Sequence, residues 1–451
     1  MLTGVIEGFY GRAWRDDQRL TMLDWITAAG MNTFVYAPKD DIHIRARWRE
    51  PYGDEQLNAL AALAETAKAR GVAFNVALAP CLDITYSDPA EMQAIVRRFD
   101  QLTAIGIEHF TLLFDDIPNR LPEADRGRFA SFAAAQCFVA NAVVEHLRPI
   151  NGTVLFCPTE YCARFAGGDV TASPYLNEIG TALDPEIGVF WTGPEIVSPE
   201  ITAASLAEIG AILRRKPVIW ENFHANDYDV RRVCAGPLGG RNADILPLIA
   251  GYITNPNNEF AANFVPVRTT GRFLNDPGYT PENGLDEAIE VWRPAFRFAY
   301  HDPPETMTDD EIRLLVELFY QPFACGPEID RLLDVGRALL ASHRPDTDNP
   351  IWQAGYAELT GLRDRIATLF TCMTEIADRD LFHAFHPYLW EAREEITHLV
   401  AYLGWLNDKP AADAWFPGDE HIHNFYRRGF TVGIQELLKR DDQGRYYHDD
   451  G

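Results

Sequence analysis

Positive charge is in short supply. Forty Lys and Arg residues stand against 66 Asp and Glu, a formal net charge of −26, and a chain so acidic repels phosphate backbones and anionic lipid surfaces. Nucleic acid and membrane are therefore not expected partners. A polyanionic sugar polymer is disfavoured by the same repulsion unless a local basic cleft overrides it. Long apolar runs are missing too: no segment approaches about 18 uninterrupted apolar residues, so no membrane span is expected. The opening stretch MLTGVIEGFYG lacks the basic start, the apolar stretch of about 7 or more residues and the small-residue cleavage site of a secretory leader, which predicts a cytoplasmic protein. Seven cysteines, an odd number without regular spacing, predict reduced thiols. Nor is there a phosphate-cradling glycine loop; GPLGGR at 236–241 reads as a plain turn.

What the chain does have is apolar mass. Hydrophobic residues make up 47% and aromatics 12% of its 451 residues, enough to bury one large core and a second, smaller one. Short apolar runs rich in β-branched and aromatic residues recur: TGVIEG (3–8), TFVYAP (33–38), AFNVALAP (73–80), HFTLLFDD (109–116), GTVLFCPTE (152–160), IGVFWTGP (187–194), PVIWEN (217–222) and YITNPN (252–257). Stretches between them, such as DEQLNALAALAETAKAR (54–70) and DPAEMQAIVRRFDQLTAI (88–105), space their apolar residues by three and four, as crossover helices do. Strict alternation of strand and helix, eight times, predicts a (β/α)8 TIM barrel over 1–275; the competing arrangement is a doubly wound sheet.

A Pro, Gly and Asn cluster, NDPGYTPENG, predicts a linker at 276–285. Beyond it the chain reads as helices: LDEAIEVWRPAFRFAY, TDDEIRLLVELFYQPF, IWQAGYAELTGLRDRIATLFTCMTEI and LFHAFHPYLWEAREEITHLVAYLGWLN. A C-terminal α-helical bundle is expected over 286–440, with a loosely held terminus at 441–451. The bundle is also the candidate surface for a homodimer.

Active sites of such barrels lie at the carboxyl ends of the strands, and the fourth strand ends in two adjacent carboxylates, Asp115 and Asp116. Ionised neighbours repel, and burial of a like-charge pair pushes one pKa up, so this pair needs solvent, a cation or a catalytic task. Successive strand side chains point to opposite sides, so one substrate would meet both carboxyls from different angles. Around them the same rim gathers Glu7, Tyr10, Lys39, Asp83, Glu160, Tyr161, Trp191, Glu221, Asn222, Asp227 and Asn255. Carboxylates and amides grip hydroxyls and aromatic faces cover the apolar side of a ring, so the set fits a sugar. A second acidic pair, Asp40 and Asp41 in YAPKDD, lies further into a loop and reads as a cap or structural ion pair.

Glycosidases conventionally use two carboxyls flanking the scissile bond. Adjacent aspartates suit a variation in which the substrate's 2-acetamido oxygen attacks the anomeric carbon. One Asp then orients the N–H and the other protonates the leaving oxygen. Zinc would want convergent His or Cys ligands, and the rim offers only Cys157, Cys162 and His224. HIHN at 421–424 reads as surface or packing, so neither a metal nor a cofactor is expected.

The motifs GVIEGFYGRAW, YAPKDD, LLFDDI, LFCPTEYC, WTGP, PVIWENFHANDYD and TNPNNEFAANF resemble, in order and spacing, the catalytic domain of the protein O-GlcNAcases, the N-acetyl-β-glucosaminidases of glycoside hydrolase family 84. The resemblance spans about residues 3–270. It implies a retaining exo-β-N-acetylglucosaminidase able to remove O-linked GlcNAc from Ser or Thr, working through an oxazoline. Asp115 would orient the acetamido N–H and Asp116 would serve as acid, then base. By the same resemblance the Gly8 carbonyl, Lys39, Asp227 and Asn255 would bind the sugar hydroxyls with Asn222 in support, and Cys157, Tyr161 and Trp220 would receive the acetamido group. The alternatives are the same chemistry on chitooligosaccharides or hyaluronan fragments, or a GlcNAc-binding module with lost catalysis. Glu221 departs from the family pattern, where aspartate is commoner.

Overall fold

The computed structural model describes residues 1–342 and 344–411, together with 414, 416, 439–440 and 446–447. Strands β1 (Leu2–Glu7), β2 (Thr33–Tyr36), β3 (Ala73–Leu78), β4 (His109–Leu113), β5 (Thr153–Cys157), β6 (Gly188–Trp191), β7 (Val218–Glu221) and β8 (Gly251–Thr254) pair in parallel in that order, and β8 closes onto β1. Each strand is buried along nearly all its length. Parallel strands covered on both faces call for continuous apolar runs, which is what the sequence supplies.

Six helices cross between strands: α1 (Asp16–Ala28), α2 (Asp54–Ala69), α3 (Pro89–Thr103), α4 (Phe132–Leu147), α5 (Pro174–Ala182) and α6 (Ala203–Leu213). Local chemistry sets several of their starts. Asp88, Ser131, Ser173 and Thr202 each accept a hydrogen bond from a backbone N–H of the first turn, and Pro89 and Pro174 occupy a position whose N–H would have no helical partner. The eighth strand is followed by α7 (Phe264–Asn275).

The expected strict alternation fails once. Between β7 and β8 there is no α-helix but a long connection ending in a 3-10 run, Ala243–Leu248. Gly236, Pro237, Gly239, Gly240 and Pro247 interrupt any helical pattern there, and Gly240 has φ of +66°. A buried ion pair holds the segment instead: Arg241 Nε and Nη2 donate to Glu221 Oε2 and Oε1 at 2.7 and 2.8 Å, and the Tyr252 phenol also donates to Glu221.

After α7 come α8 (Pro281–Trp292), α9 (Asp309–Leu318), α10 (Pro327–Leu339), α11 (Pro350–Glu375) and α12 (Arg379–Asn407). Of the expected linker at 276–285 only the first residues form a turn, because Thr280 caps α8 through Asn283 N at 3.3 Å and PENG is its first turn. The chain divides into two compact units, residues 1–326 with 376–385, and residues 327–375 with 386 onward. In the second unit α10 and α11 are joined by Arg331–Glu358 and Arg365–Glu328 ion pairs at 2.6 and 2.7 Å. Helix α10 was not among the expected helices, although Ile329, Leu332, Leu339 and the intervening polar residues carry the period. Residues 439–440 and 446–447 form a short antiparallel pair; HIHN at 421–424 and most of 441–451 lie outside the described residues. No helix among the described residues is long and apolar enough to cross a membrane.

Candidate active site

At the carboxyl ends of the strands a cavity of about 290 Å³ is lined by residues from seven of the eight strand ends and the loops after them. Gly8 and Tyr10 follow β1, Lys39 follows β2, Asp115 and Asp116 follow β4, and Cys157 and Tyr161 sit at β5. Thr192, Ile196 and Val197 follow β6; Trp220, Asn222, Ala225, Asp227 and Tyr228 belong to β7; Asn255 follows β8. All ten residues singled out by the sequence resemblance therefore line one pocket.

The backbone delivers the two aspartates differently from the expectation. The β4 ladder ends at Leu113, paired with Cys157, and the Phe114 N–H still reaches the Cys157 carbonyl at 3.0 Å. Asp115 and Asp116 lie beyond it, and Asp116 adopts φ of +55°, the left-handed region that aspartate tolerates better than most residues. This turn of the chain, rather than strand alternation, presents both carboxyls to one cavity.

Their surroundings are opposite in kind. Asp115 is 6% exposed, and Oδ2 accepts a hydrogen bond from Lys39 Nζ at 2.7 Å, with an Arg45 guanidinium nitrogen 4.0 Å away. Burial alone would raise its pKa, but the Lys39 charge and hydrogen bond, then Arg45, outweigh burial and hold the carboxyl below the usual range. Asp115 Oδ1 is buried and accepts no hydrogen bond from any described residue. Asp116 is exposed and sits between two phenols: Tyr161 Oη donates to Oδ1 at 2.8 Å and Tyr10 Oη to Oδ2 at 3.0 Å. Burial and the Asp116 charge push both phenols well above their ordinary value, so both keep their protons.

The floor and walls are tied together. Asn255 Oδ1 accepts from Gly8 N at 3.2 Å, and Asn255 Nδ2 donates to Asn222 Oδ1 at 3.0 Å, which also takes the Trp220 indole N–H at 2.9 Å. Asn222 Nδ2 in turn donates to the Ile196 carbonyl at 2.9 Å. Gly8 lies so close to the Trp220 ring that a Cβ there would come within 2.7 Å of it, so glycine is a packing requirement. Asp227 accepts from Tyr10 N at 2.8 Å, and burial raises its pKa. Burial also pushes the Cys157 thiol well up, keeping it a thiol.

Five of the rim residues expected from sequence are not in this pocket. Glu7 is wholly buried, bound to Arg19 at 2.8 and 2.9 Å and to Trp14 N at 2.8 Å. Glu160 is buried and accepts from Ser173 and Asn119; Trp191 is core; Glu221 belongs to the Arg241 pair described above. Asp83 accepts from Trp48 Nε1 and Arg49 Nη1 at 2.9 and 2.7 Å. Of the candidate metal ligands, His224 is buried, its pKa lowered to about 4 by burial, and its Nε2 faces the Gly236 carbonyl at 2.9 Å. It serves the β7–β8 connection. Conversely, the sequence reading missed Arg45, whose guanidinium lies over the Tyr10 ring at 5.9 Å, and the wall residues Thr192, Ile196, Val197 and Tyr228. Tyr228 adjoins Asp227 and was within reach of the motif, whereas nothing distinguishes Arg45 among the arginines of DDIHIRARWRE.

The arrangement offers a buried charged carboxylate with one free acceptor beside an exposed carboxyl held by two hydroxyls, in a pocket walled by indole, phenol and aliphatic groups. Comparison with known proteins agrees with that chemistry. The model of the beta-N-acetylglucosaminidase family matches residues 3–303. Protein O-GlcNAcase of Mus musculus is 45% identical over 268 residues, 59% of this chain and 29% of that protein, and the Rattus norvegicus protein matches to the same extent. The chain thus aligns with under a third of the length of these relatives. A solved O-GlcNAc hydrolase variant of Thermobaculum terrenum superposes with a TM-score of 0.78 at 26% identity, covering 89% of this chain and 83% of that one.

Proposed function

The chain belongs to the β-N-acetylglucosaminidase family, and from that premise we propose that its rim pocket hydrolyses a terminal β-linked N-acetylglucosamine with retention of configuration, O-linked GlcNAc on Ser or Thr included. The observation that carries the reading is the Asp115 carboxylate. One oxygen is neutralised by Lys39 and the other is buried with no donor. A buried acceptor left unsatisfied costs about 1 to 3 kcal/mol, and an acetamido N–H placed there would recover it.

The steps derive from the two environments. With its N–H held by Asp115 Oδ1, the acetamido group turns its oxygen toward the anomeric carbon, and the charge on Asp115 stabilises the positive character that develops on the nitrogen as the oxazoline ring closes. The glycosidic C–O bond breaks as Asp116 passes a proton to the leaving oxygen. Asp116 then takes a proton from water as that water opens the oxazoline from the face the aglycone left, which restores the β configuration. The two phenolic donors on Asp116 suit the base half of the cycle; in the acid half one of them must release that carboxyl and turn toward the substrate. Cys157 and Trp220 close the bottom of the pocket as uncharged groups, which suits a methyl and an amide plane.

The reading is tested by incubating the protein with 4-nitrophenyl N-acetyl-β-glucosaminide and recording the first-formed sugar by NMR. The β anomer is expected before mutarotation. Appearance of the α anomer first contradicts it.

A further inference from the structure

Asp116 borders a second cavity. On the other side of it from the sugar pocket lies a depression of about 360 Å³ between the loop after β3 and the loop after β4. Its lining includes Leu82, 56% exposed, with Ile117, Pro118 and Pro122, while Arg120 is an exposed cation that forms no ion pair with a described residue. The single carboxylate in it besides Asp116 is Asp83, already matched to Arg49 at 2.7 Å.

Asp116 is the one residue common to the linings of the two cavities. On the proposed mechanism, on which this inference rests, the proton of Asp116 goes to the glycosidic oxygen. The sugar lies on one side of that oxygen and the leaving group on the other. We infer that the β3–β4 depression is the binding groove for the leaving group, and that its occupant is an extended polypeptide flanking the glycosylated Ser or Thr. The walls favour a peptide over a second sugar. They present aliphatic and proline surface, and the aromatic rings in the groove, Tyr86 and Phe132, are buried beneath it at 2% and 8% exposure rather than offered as faces for a pyranose. Arg120 at the edge favours an acidic residue in the flanking sequence.

The test compares kcat/KM on three substrates: 4-nitrophenyl N-acetyl-β-glucosaminide, a GlcNAc-serine peptide with aliphatic and glutamate flanks, and the β-1,4-linked GlcNAc disaccharide. Two variants of exposed side chains, Leu82→Asp and Arg120→Glu, are measured beside the wild type, with melting curves to register folding. The ratio of peptide to aryl glycoside should fall about tenfold in Leu82→Asp, the cost of one good apolar contact, and several-fold in Arg120→Glu, with the disaccharide ratio unmoved. A peptide ratio unchanged in both variants overturns the inference, and so does a fall confined to the disaccharide, which would make the occupant a sugar. Wild-type protein that leaves all three substrates intact would instead remove the glycosidase reading itself.

Discussion

Two pairs of adjacent aspartates face the same rim, and they have opposite fates. Asp40 and Asp41 are closed: Asp41 Oδ2 accepts from the Tyr36 and Tyr52 phenols at 3.0 and 2.9 Å, Asp41 Oδ1 from His43 N at 2.9 Å, and Asp40 Oδ2 from Ala13 N at 3.1 Å. Asp115 and Asp116 are open. One has a free buried oxygen beside a lysine, and the other is exposed and held by hydroxyls able to let go. The contrast shows that the spare hydrogen-bonding capacity of a carboxylate separates chemistry from architecture, where the doublet of aspartates alone does not.

The largest effect that would break this contrast is on the acid. Asp116→Ala should lower turnover of a GlcNAc-serine peptide by about 10² to 10⁴, the usual contribution of a general acid and base. With a good leaving group such as 4-nitrophenol the first step needs little protonation, so the loss there should be much smaller; equal losses on both substrates would contradict the acid role. Next comes Lys39→Met, expected to cost about 10²-fold in kcat/KM, in the range of one strong electrostatic contact. Lys39 opposes the effect of burial and keeps the Asp115 pKa low, so its removal raises that pKa and the acidic limb of kcat/KM moves to higher pH. The stability consequence has a matching sign. A lowered folded-state pKa stabilises the native protein above the unfolded value of about 3.9, and that contribution disappears as pH falls through the folded value. The gap in melting temperature between variant and wild type should be widest near neutrality and close in acid. The smallest catalytic effect sharpens the comparison from the other side. Asp41→Asn should change kcat/KM by less than about twofold yet destabilise by about 1 to 2 kcal/mol, since charge-assisted bonds to two phenols and a backbone N–H weaken. A catalytic loss matching that of Asp116→Ala would erase the distinction.

Much of this was legible in the chain. Eight apolar runs located eight strands, and the motifs at their ends named the ten residues that line the sugar pocket. What escaped was the use to which similar side chains are put. Glu7, Glu160 and Glu221 sit next to strand ends as Asp115 does, but each turns to a partner distant in sequence: Arg19, Ser173 and Arg241. Strand alternation does not reveal which carboxylate has found its arginine. The conformation of Asp116 was hidden for a similar reason, because positive φ in a non-glycine residue has no sequence signature when the surrounding fold imposes it. The β7–β8 connection was misjudged as a helical crossover by extrapolating a repeat through a segment whose glycines and prolines spoke against it.

The central claim is that Asp115 Oδ1 receives the acetamido N–H, so that the acetamido oxygen becomes the nucleophile. The measurement that addresses this directly is kcat/KM for aryl glucosaminides carrying acetyl, fluoroacetyl, difluoroacetyl and trifluoroacetyl groups on nitrogen. Each fluorine withdraws electrons from the attacking oxygen, so the rate should fall progressively across the series. A flat series would mean that the acetamido oxygen does not attack, and that the open oxygen of Asp115 serves some other purpose.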